Sequence, residues 1–586
     1  MMNIERENFE TDVIVVGSGG AGLRAAIEAG KKGKVAVLSR GPFARGGATV
    51  MAGADIMLDG KSLCDLGYNG DPNDTKEKWF QDILVEGFDL NDQGLVEAYV
   101  REAPDRVREL LDWGMKVDSE RSEFRALITT GAQILQALRN GFSRSGASVF
   151  ENCIAADLMV HDDRVCGLMA LDYRRGKIIH FRTKAVILAT GGWHELYAFN
   201  TGSDDLTGDG PAMAYRAGAV LSNMEMTTFC PNIVIHPAAY RGTVFLYNFL
   251  TGRLLNKKGD AFLAWEDPRI LKLIQTTEWN KLLLSRAIWN EVVQGRGTPH
   301  GGVYYSLRHV PIDIFEELEK KVRGKAWRFQ GRDVSGLVER LKDGYAVEVG
   351  PAAHYFEGGI KISPDCETSV PGLYAAGECT GGLFGANRVS AATTEMLVQG
   401  AIAGRSAMDF ALKERSVGVD ARQAGNLEEN LMLPLGRQRG ERPSELKTRI
   451  QEVAYRNLGV IRNRTGLEAS LEKAEELQSV LFQLCVPDRK SHNRAWVDAL
   501  DVRNLMELLK VVARSALERE ESRGVHFRND FPDTHDKHGL KNVLIRKEGD
   551  RTKVIREALI RPKGETSGRI RPYEETIRDA IEALSY

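Results

Sequence analysis

The stretch that most constrains this chain is Thr11 to Ser39, TDVIVVGSGGAGLRAAIEAGKKGKVAVLS. Val13 to Val16 is a continuous apolar run of β-branched residues, which suits a strand buried on both faces of a parallel sheet. Gly17, Gly19 and Gly22 follow at the G-x-G-x-x-G spacing, Ala21 to Gly30 reads as a short Ala-rich helix, and Val35 to Leu38 as a second buried strand. In such a unit the first glycine permits the turn, the second admits a pyrophosphate, and the third lets the helix lie close to the strand. The free amides of the helix N-terminus then face the phosphates. With 59 glycines in the chain the spacing alone is weak; the strand-turn-helix-strand context makes it a dinucleotide site. Ser39 stands where an acidic residue commonly holds the ribose, and its hydroxyl can still donate and accept there.

The chain is 586 residues long, so two to four domains are expected. Its 43% hydrophobic and 27% charged residues are ordinary for a globular protein. A net charge of −2 gives no electrostatic case for nucleic acid or an anionic membrane surface. The seven cysteines (64, 153, 166, 230, 366, 379, 485) contain no C-x-x-C pair. That argues against a locally ligated iron-sulfur cluster or a zinc ribbon in this chain, and the odd count fits a reducing compartment; no metal site is expected. The N-terminus lacks the apolar core of a signal peptide, and no apolar run approaches the ~20 residues of a membrane span. A cytoplasmic protein is expected, in solution or peripheral on the cytoplasmic face of a membrane.

Gly41 to Asp55 reads as a loop of small residues able to admit a flat ring system, with a glycine-rich surface loop as the alternative. Leu95 to Gly114 reads as helix, Val160 to Ile179 as strands carrying a hairpin, and Ala185 to Ala189 as a buried strand ending in Thr190-Gly191-Gly192. Such a strand end is where an open α/β sheet presents its ligand crevice. Thr207-Gly208-Asp209-Gly210 leads into a small-residue helix. From 241 to 349 the glycine turns stop and Trp, Lys and long charged residues enter, which reads as an inserted domain. Leu373 to Glu378 is again an apolar strand meeting a glycine and an acid, followed by a small-residue helix from Ala391 to Met408. Beyond Gly425 the chain turns helical. Leu505, Leu508, Leu509, Val512 and Ala516 repeat at helical spacing, which predicts one packed face, and Gly524 is placed to stop that helix. Alternation around Val543–Ile545 and Lys553–Ile555 predicts short strands in the tail.

Taken together, the Gly17–Gly22 turn, Ala189-Thr190-Gly191-Gly192, Thr207–Gly210, Ala353-His354-Tyr355 with Gly358-Gly359-Ile360, Pro371–Glu378, Gly385-Ala386-Asn387-Arg388 and Glu521–His526 resemble the flavoprotein subunit of succinate dehydrogenase and fumarate reductase, a family that includes L-aspartate oxidase. The resemblance covers nearly the whole chain in family order. It implies an α/β fold: a Rossmann-like FAD-binding domain in two pieces (1–240 and 350–415), an inserted α+β capping domain (241–349), a C-terminal helical domain (425–540) and a tail with short strands (541–586).

The resemblance also implies the site. The flavin pyrophosphate would lie at Gly17, Gly19, Gly20, Ala21 and Gly22, the ribose near Ser39 and Arg40, and the ribitol near Glu378. Thr190, Gly191, Asp209 and Arg388 would also touch the cofactor, and Gly46, Gly47, Ala48, Thr49, Gly53 and Thr393 would border the isoalloxazine. Ala48 stands before Thr49-Val50, where respiratory members carry the His that bonds flavin, so non-covalent FAD is implied. His354 and Arg388 match the substrate-binding His and Arg, and the family's proton-carrying arginine maps onto Lys281, with Arg286 about one helical turn beyond. A second substrate His is replaced by Cys230, with His236 six residues later as a compensating candidate. A Thr-Glu pair falls near Val244-Phe245, and an apolar substrate arm would pack on Val244, Phe245 and Phe249. The implied activity is hydride exchange between flavin N5 and a carboxylate, with electrons passing to a separate iron-sulfur subunit. Two alternatives stay open: an amino-acid oxidase like L-aspartate oxidase, and an electron-relay flavin subunit with a degenerate substrate pocket.

Overall fold

A computed structural model of the chain describes residues 4–53, 55–118, 122–123, 125–243, 252–263, 279–316, 333–388, 391–416, 418–437 and 439–559. At its centre five parallel strands stand in the order Leu373–Ala375, Ala185–Leu188, Val13–Val16, Val35–Ser39 and Ser148–Glu151. Val13, Ile14, Val15, Val186, Ile187 and Leu188 are wholly buried, as a strand covered on both faces requires. The helix Gly20–Ala29 lies against the long helix Ala392–Lys413, which runs five residues beyond the Met408 expected from sequence. A Cβ at Gly404 would stand 2.2 Å from the Ala25 carbonyl oxygen, so the small residues of the second helix exist to bring the two backbones together. A four-stranded sheet contacts the strand Ala185–Leu188; its meander of Cys153–His161, Arg164–Asp172 and Lys177–Arg182 contains the predicted hairpin.

The inserted segment carries its own antiparallel sheet, ordered Thr227–His236, Val347–Phe356, Val303–Ser306 and Arg253–Leu255, with the helix Trp279–Val293 packed on the first two strands. Two of these strands begin or end outside residues 241–349, so the cap is stitched to the nucleotide fold through hydrogen-bonded backbone rather than through a linker. Val244, Phe245 and Phe249 lie outside the described residues.

The helices Ala421–Met432, Pro443–Asn457, Arg464–Leu481 and Arg494–Glu518 form the C-terminal region. Two expectations change here. The helix Arg494–Glu518 buries Leu505, Leu508, Leu509, Val512 and Ala516, but also Asp501, Asn504 and Ser515, because it is wedged between its helical neighbours and the nucleotide fold. It ends at Glu518, with Arg519 at its cap, so Gly524 does not stop it. Gly524 instead has φ +53° in a turn against Ala386, where Val525 N–H donates to the Ala386 carbonyl at 2.8 Å. The tail strands pair as a hairpin, Lys541–Glu548 with Arg551–Ala558, added to the short strand Leu221–Ser222.

One buried arginine stitches these parts. Arg519 donates to Glu225 at 2.5 Å, to Asn223 Oδ1 at 3.1 Å, to the Gly539 carbonyl at 2.8 Å and to the Lys541 carbonyl at 3.0 Å. Glu225 is fully buried and also accepts the Ser515 hydroxyl. Arg519 also donates to Glu521 at 3.2 Å, an acid shared with Arg523, so removing Glu225 leaves the buried arginine under-compensated, and loss of a buried partner costs up to about 3–5 kcal/mol. Glu225→Ala is therefore expected to lower the urea midpoint of unfolding sharply, and Glu225→Gln, which keeps acceptor geometry, to lower it less.

Candidate active site and cofactor cradle

The nucleotide end is built from backbone. Gly17 has φ +113°, and a Cβ at Gly22 would stand 1.9 Å from the Gly17 carbonyl oxygen, so the turn and the helix start can adopt this approach only without side chains. The helix Gly20–Ala29 begins at Gly19 with no side-chain cap, leaving N-terminal amides to an anion. Gly20 N–H meets Thr49 Oγ1 at 3.1 Å, which draws the short helix Gly47–Met51 over this turn. The loop predicted over residues 41–55 thus contains a helical turn. Gly47 N–H donates to Asp205 at 2.9 Å and Gly46 packs on the same carboxylate; Ala48 sits on the same turn and Gly53 beyond it is exposed. Thr393 donates its hydroxyl to the Asp55 carbonyl, closing the crevice from the long helix.

Ser39 is buried and shares a 2.7 Å hydrogen bond with Ser18. Arg40 spans Asp209 at 3.0 Å and Asp501 at 2.5 Å, with Thr207 Oγ1 at 3.0 Å. Burial opposes the Arg40 charge, but Asp501 and Asp209 outweigh it and raise its pKa; burial pushes Asp501 up to about 6. Arg40 and Asp209 therefore lock the crevice edge to the helical region. Thr190 Oγ1 accepts Gly210 N–H at 3.2 Å, and Gly191 has φ +71°. Beside them Glu378 is pushed up to about 8 by burial, and its Oε1 is buried without a hydrogen-bond partner. An unspent buried acceptor at the strand end suits a ligand hydroxyl. These residues fit a dinucleotide with its pyrophosphate at Gly17–Gly22 and a polyol near Glu378.

The other end of the crevice gathers cations around His354. Opposite the strand Thr227–His236, Tyr355 faces Thr228 and Ala353 faces Phe229, so His354 is the extra residue of a β-bulge. Its Nδ1 meets Thr201 Oγ1 at 2.8 Å, and its carbonyl accepts His194 Nε2–H at 3.0 Å. Burial, then the charges of Lys281, Arg388 and His194, hold the His354 imidazole neutral, well below its usual range. Burial lowers His194 to about 4. The Arg388 guanidinium lies 4.5 Å over the Tyr355 ring.

The charges of Lys281 and Arg388 thus bear on His354, whereas Arg286 is turned elsewhere. Its Nη2 donates to the Gly524 carbonyl at 2.6 Å and its guanidinium lies 4.5 Å over Phe527. Burial lowers Arg286 to about 10. Cys230 lies opposite Ala352, two residues from His354. His236 does not compensate for it. His236 pairs with Glu348 at the far end of the ladder, six residues and roughly 20 Å of strand from His354, and stacks on His300 at 4.4 Å.

Sequence reasoning passed over Thr201, His194, Glu357 and Glu395, and gave Tyr355 no role beyond its place in the Ala353-His354-Tyr355 motif. Tyr355 donates its hydroxyl to Glu395, and Thr228 donates to Glu357. Tyr355 and Glu357 flank a matched His; Glu395 lies three residues into a small-residue helix, where an acid is an available signal of burial with purpose.

A profile described as the FAD binding domain matches residues 12–394, and one described as the fumarate reductase flavoprotein C-terminal region matches residues 447–567. This chain belongs to the fumarate reductase and succinate dehydrogenase flavoprotein family. It is 32% identical over 592 residues to the fumarate reductase flavoprotein subunit of Mycobacterium tuberculosis, covering 92% of this chain and 95% of that protein. It is 28% identical to the fumarate reductase flavoprotein subunit of Escherichia coli, covering 93% of each. The structure of Mycobacterium smegmatis Sdh1 in complex with UQ1 superposes with a TM-score of 0.85 at 29% identity, covering 95% of this chain and 96% of that one. As a family member this is an FAD-dependent oxidoreductase acting on CH–CH groups. Among the described residues no helix is long and apolar enough to cross a membrane. Gly22→Ala sets a methyl against the Gly17 carbonyl with no side chain to yield, and is expected to strip FAD, read as loss of visible flavin absorbance per protein.

Proposed function

We propose that this flavoprotein interconverts a saturated and an α,β-unsaturated dicarboxylate of the succinate and fumarate type, as the flavin subunit of a complex whose iron-sulfur subunit exchanges the electrons. The observation that carries the reading is the bulge-borne His354 next to Tyr355, over whose ring Arg388 lies, with the charges of Lys281 and Arg388 both bearing on the imidazole. The relatives bear the name of fumarate reductase flavoprotein subunits, which supports both the reaction class and a partner chain. All seven cysteines are free, which agrees with a protein working in the cytoplasm, in solution or at a membrane surface.

Bound FAD supplies the hydride acceptor and donor for one carbon of the CH–CH bond. Arg388 offers a planar fork to a substrate carboxylate, and the face of Tyr355 holds that fork in place. Neutral His354, oriented by Thr201, donates to the same anion without adding charge. Lys281, the buried ammonium beside them, exchanges the proton at the second carbon. Arg286 pins the helix Trp279–Val293 to the turn at Gly524, which in turn holds Ala386 on the loop that bears Arg388. With Ala48 in place of a flavin-bonding His, the FAD is held non-covalently and is released by acid precipitation.

Lys281→Met is expected to lower kcat for fumarate reduction by about 10²–10⁴ with bound FAD retained, while Arg286→Gln mainly raises KM by loosening the helix. The reverse pattern would move the proton to Arg286. The similarity to an L-aspartate oxidase of Nicotiana tabacum, 28% identical, makes aspartate the comparison substrate. Aspartate-driven peroxide release, with no fumarate-dependent flavin reoxidation, replaces this reading with an amino-acid oxidase; retention of FAD without any carboxylate turnover replaces it with an electron relay.

A further inference from the structure

Glu357 directly follows the strand Val347–Phe356 and is 2% exposed. Thr228, on the partner strand, donates its hydroxyl to Glu357 Oε1. Arg388 bears on the same carboxyl twice, through its backbone N–H and through its guanidinium charge. From the helix Ala392–Lys413, Glu395 faces Glu357 as a like group, itself held by Tyr355. Glu378 completes the set of carboxyls that sense Arg388. Three buried acids and one arginine thus share the wall of the substrate site, with His354 and Lys281 beyond them.

These groups cannot all be charged while an anionic substrate is bound. Arg388 can offset one ionised neighbour in a poorly screened interior, but a docked carboxylate and an ionised Glu357 then repel each other across the same guanidinium. Burial pushes Glu378 and Glu395 up to about 8 and Glu357 up to about 7, against the Arg388 charge that restrains all three, the Thr228 hydroxyl that restrains Glu357 and the Tyr355 hydroxyl that restrains Glu395. Glu357 accepts the Thr228 hydroxyl and the Arg388 backbone N–H, donors that hold its ionised form, and that charge is the one a carboxylate docked on Arg388 opposes.

We propose that Glu357 is a positioning residue for substrate capture: its carboxyl takes up one proton as a dicarboxylate docks on Arg388, so the enzyme holds its substrate more tightly in mild acid than in base. This deepens the dicarboxylate reading above and rests on it. The sign follows from linkage. A group that is ionised in the free enzyme and protonated in the complex weakens binding by up to about tenfold for each pH unit above its free ionisation. Below that point it is protonated in both states and the affinity is flat.

The test titrates the FAD-loaded protein with malonate, which carries two carboxylates but no CH–CH bond to oxidise, and reads Kd from the flavin difference spectrum between about pH 6 and about pH 9. The wild-type Kd is expected to rise by at least about tenfold over the upper part of this range, and that of Glu357→Gln to rise several-fold less, the remaining rise coming from Glu378 and Glu395, which burial pushes up to about 8 and which also face Arg388. Thr228→Val, which removes a donor to the ionised carboxyl, is expected to move the rise to higher pH, while Glu395→Gln keeps it. A wild-type Kd independent of pH overturns the proposal whether or not the variants fold. So does a Glu357→Gln Kd that follows the wild-type slope, or a slope abolished by Glu395→Gln. Absence of any binding by malonate, succinate and fumarate is a different failure, since it removes the dicarboxylate reading itself.

Discussion

One extra residue in a β-ladder sets the geometry on which the proposed substrate site depends. Without the bulge at His354, alternation along Val347–Phe356 would carry each later side chain to the opposite face, and Tyr355 and His354 would exchange roles. With it, His354 turns toward Thr201, while Tyr355 supports Arg388 from the opposite side and reaches Glu395. The bulge also brings Thr228 beside Glu357, so the same irregularity places the imidazole and the carboxyl that frame Arg388.

That arrangement concentrates charge where charge is expensive. A buried arginine needs compensation, and at Arg40 and Arg519 fixed carboxylates supply it. At Arg388 the neighbouring acids are pushed toward neutrality by burial, so part of its charge remains for an incoming anion. The two structural arginines and the site arginine differ in the state of their partners rather than in residue type. Arg286 differs again, since among the described residues its guanidinium meets a carbonyl and an aromatic face rather than a carboxylate. A cation held that way serves as a rivet between the cap helix and the turn at Gly524.

How far the sequence could be read follows from the range of the forces involved. The phosphate turn was legible because a missing Cβ is enforced within a few residues: Gly17 and Gly22 meet each other's backbone. His354 and Arg388 were singled out through their flanking motifs, and the structure sets Arg388 over Tyr355, the neighbour of His354. Glu357 was not, because its meaning comes from Thr228, 129 residues earlier, and from Arg388 in another loop. His236 misled through its chain proximity to Cys230, which the ladder converts into distance. Gly524 followed a helix closely enough to pass for its stop, although its tight contact is with Ala386. Likewise the apolar spacing of Leu505 to Ala516 revealed one packed face of that helix, while the burial of Asp501 and Asn504 needed partners from the nucleotide fold.

Those partners change the meaning of the C-terminal region. Asp501 and Asn504 hold Arg40 and Asp209 at the nucleotide crevice, and the turn at Gly524 holds Ala386 and Arg286 at the substrate end. Both ends of the catalytic crevice are thus braced by one helix and the turn that follows it. Arg519 and Glu225 close the loop by tying that helix to the start of the strand Thr227–His236, whose ladder carries the bulge. Displacement of this helix would loosen cofactor edge, cation rivet and bulged ladder together, since each is fastened to it by buried polar contacts. The helical region is therefore placed to clamp the nucleotide crevice and the proposed substrate site in mutual register, and a hydride transfer of the kind proposed leaves little tolerance for slack.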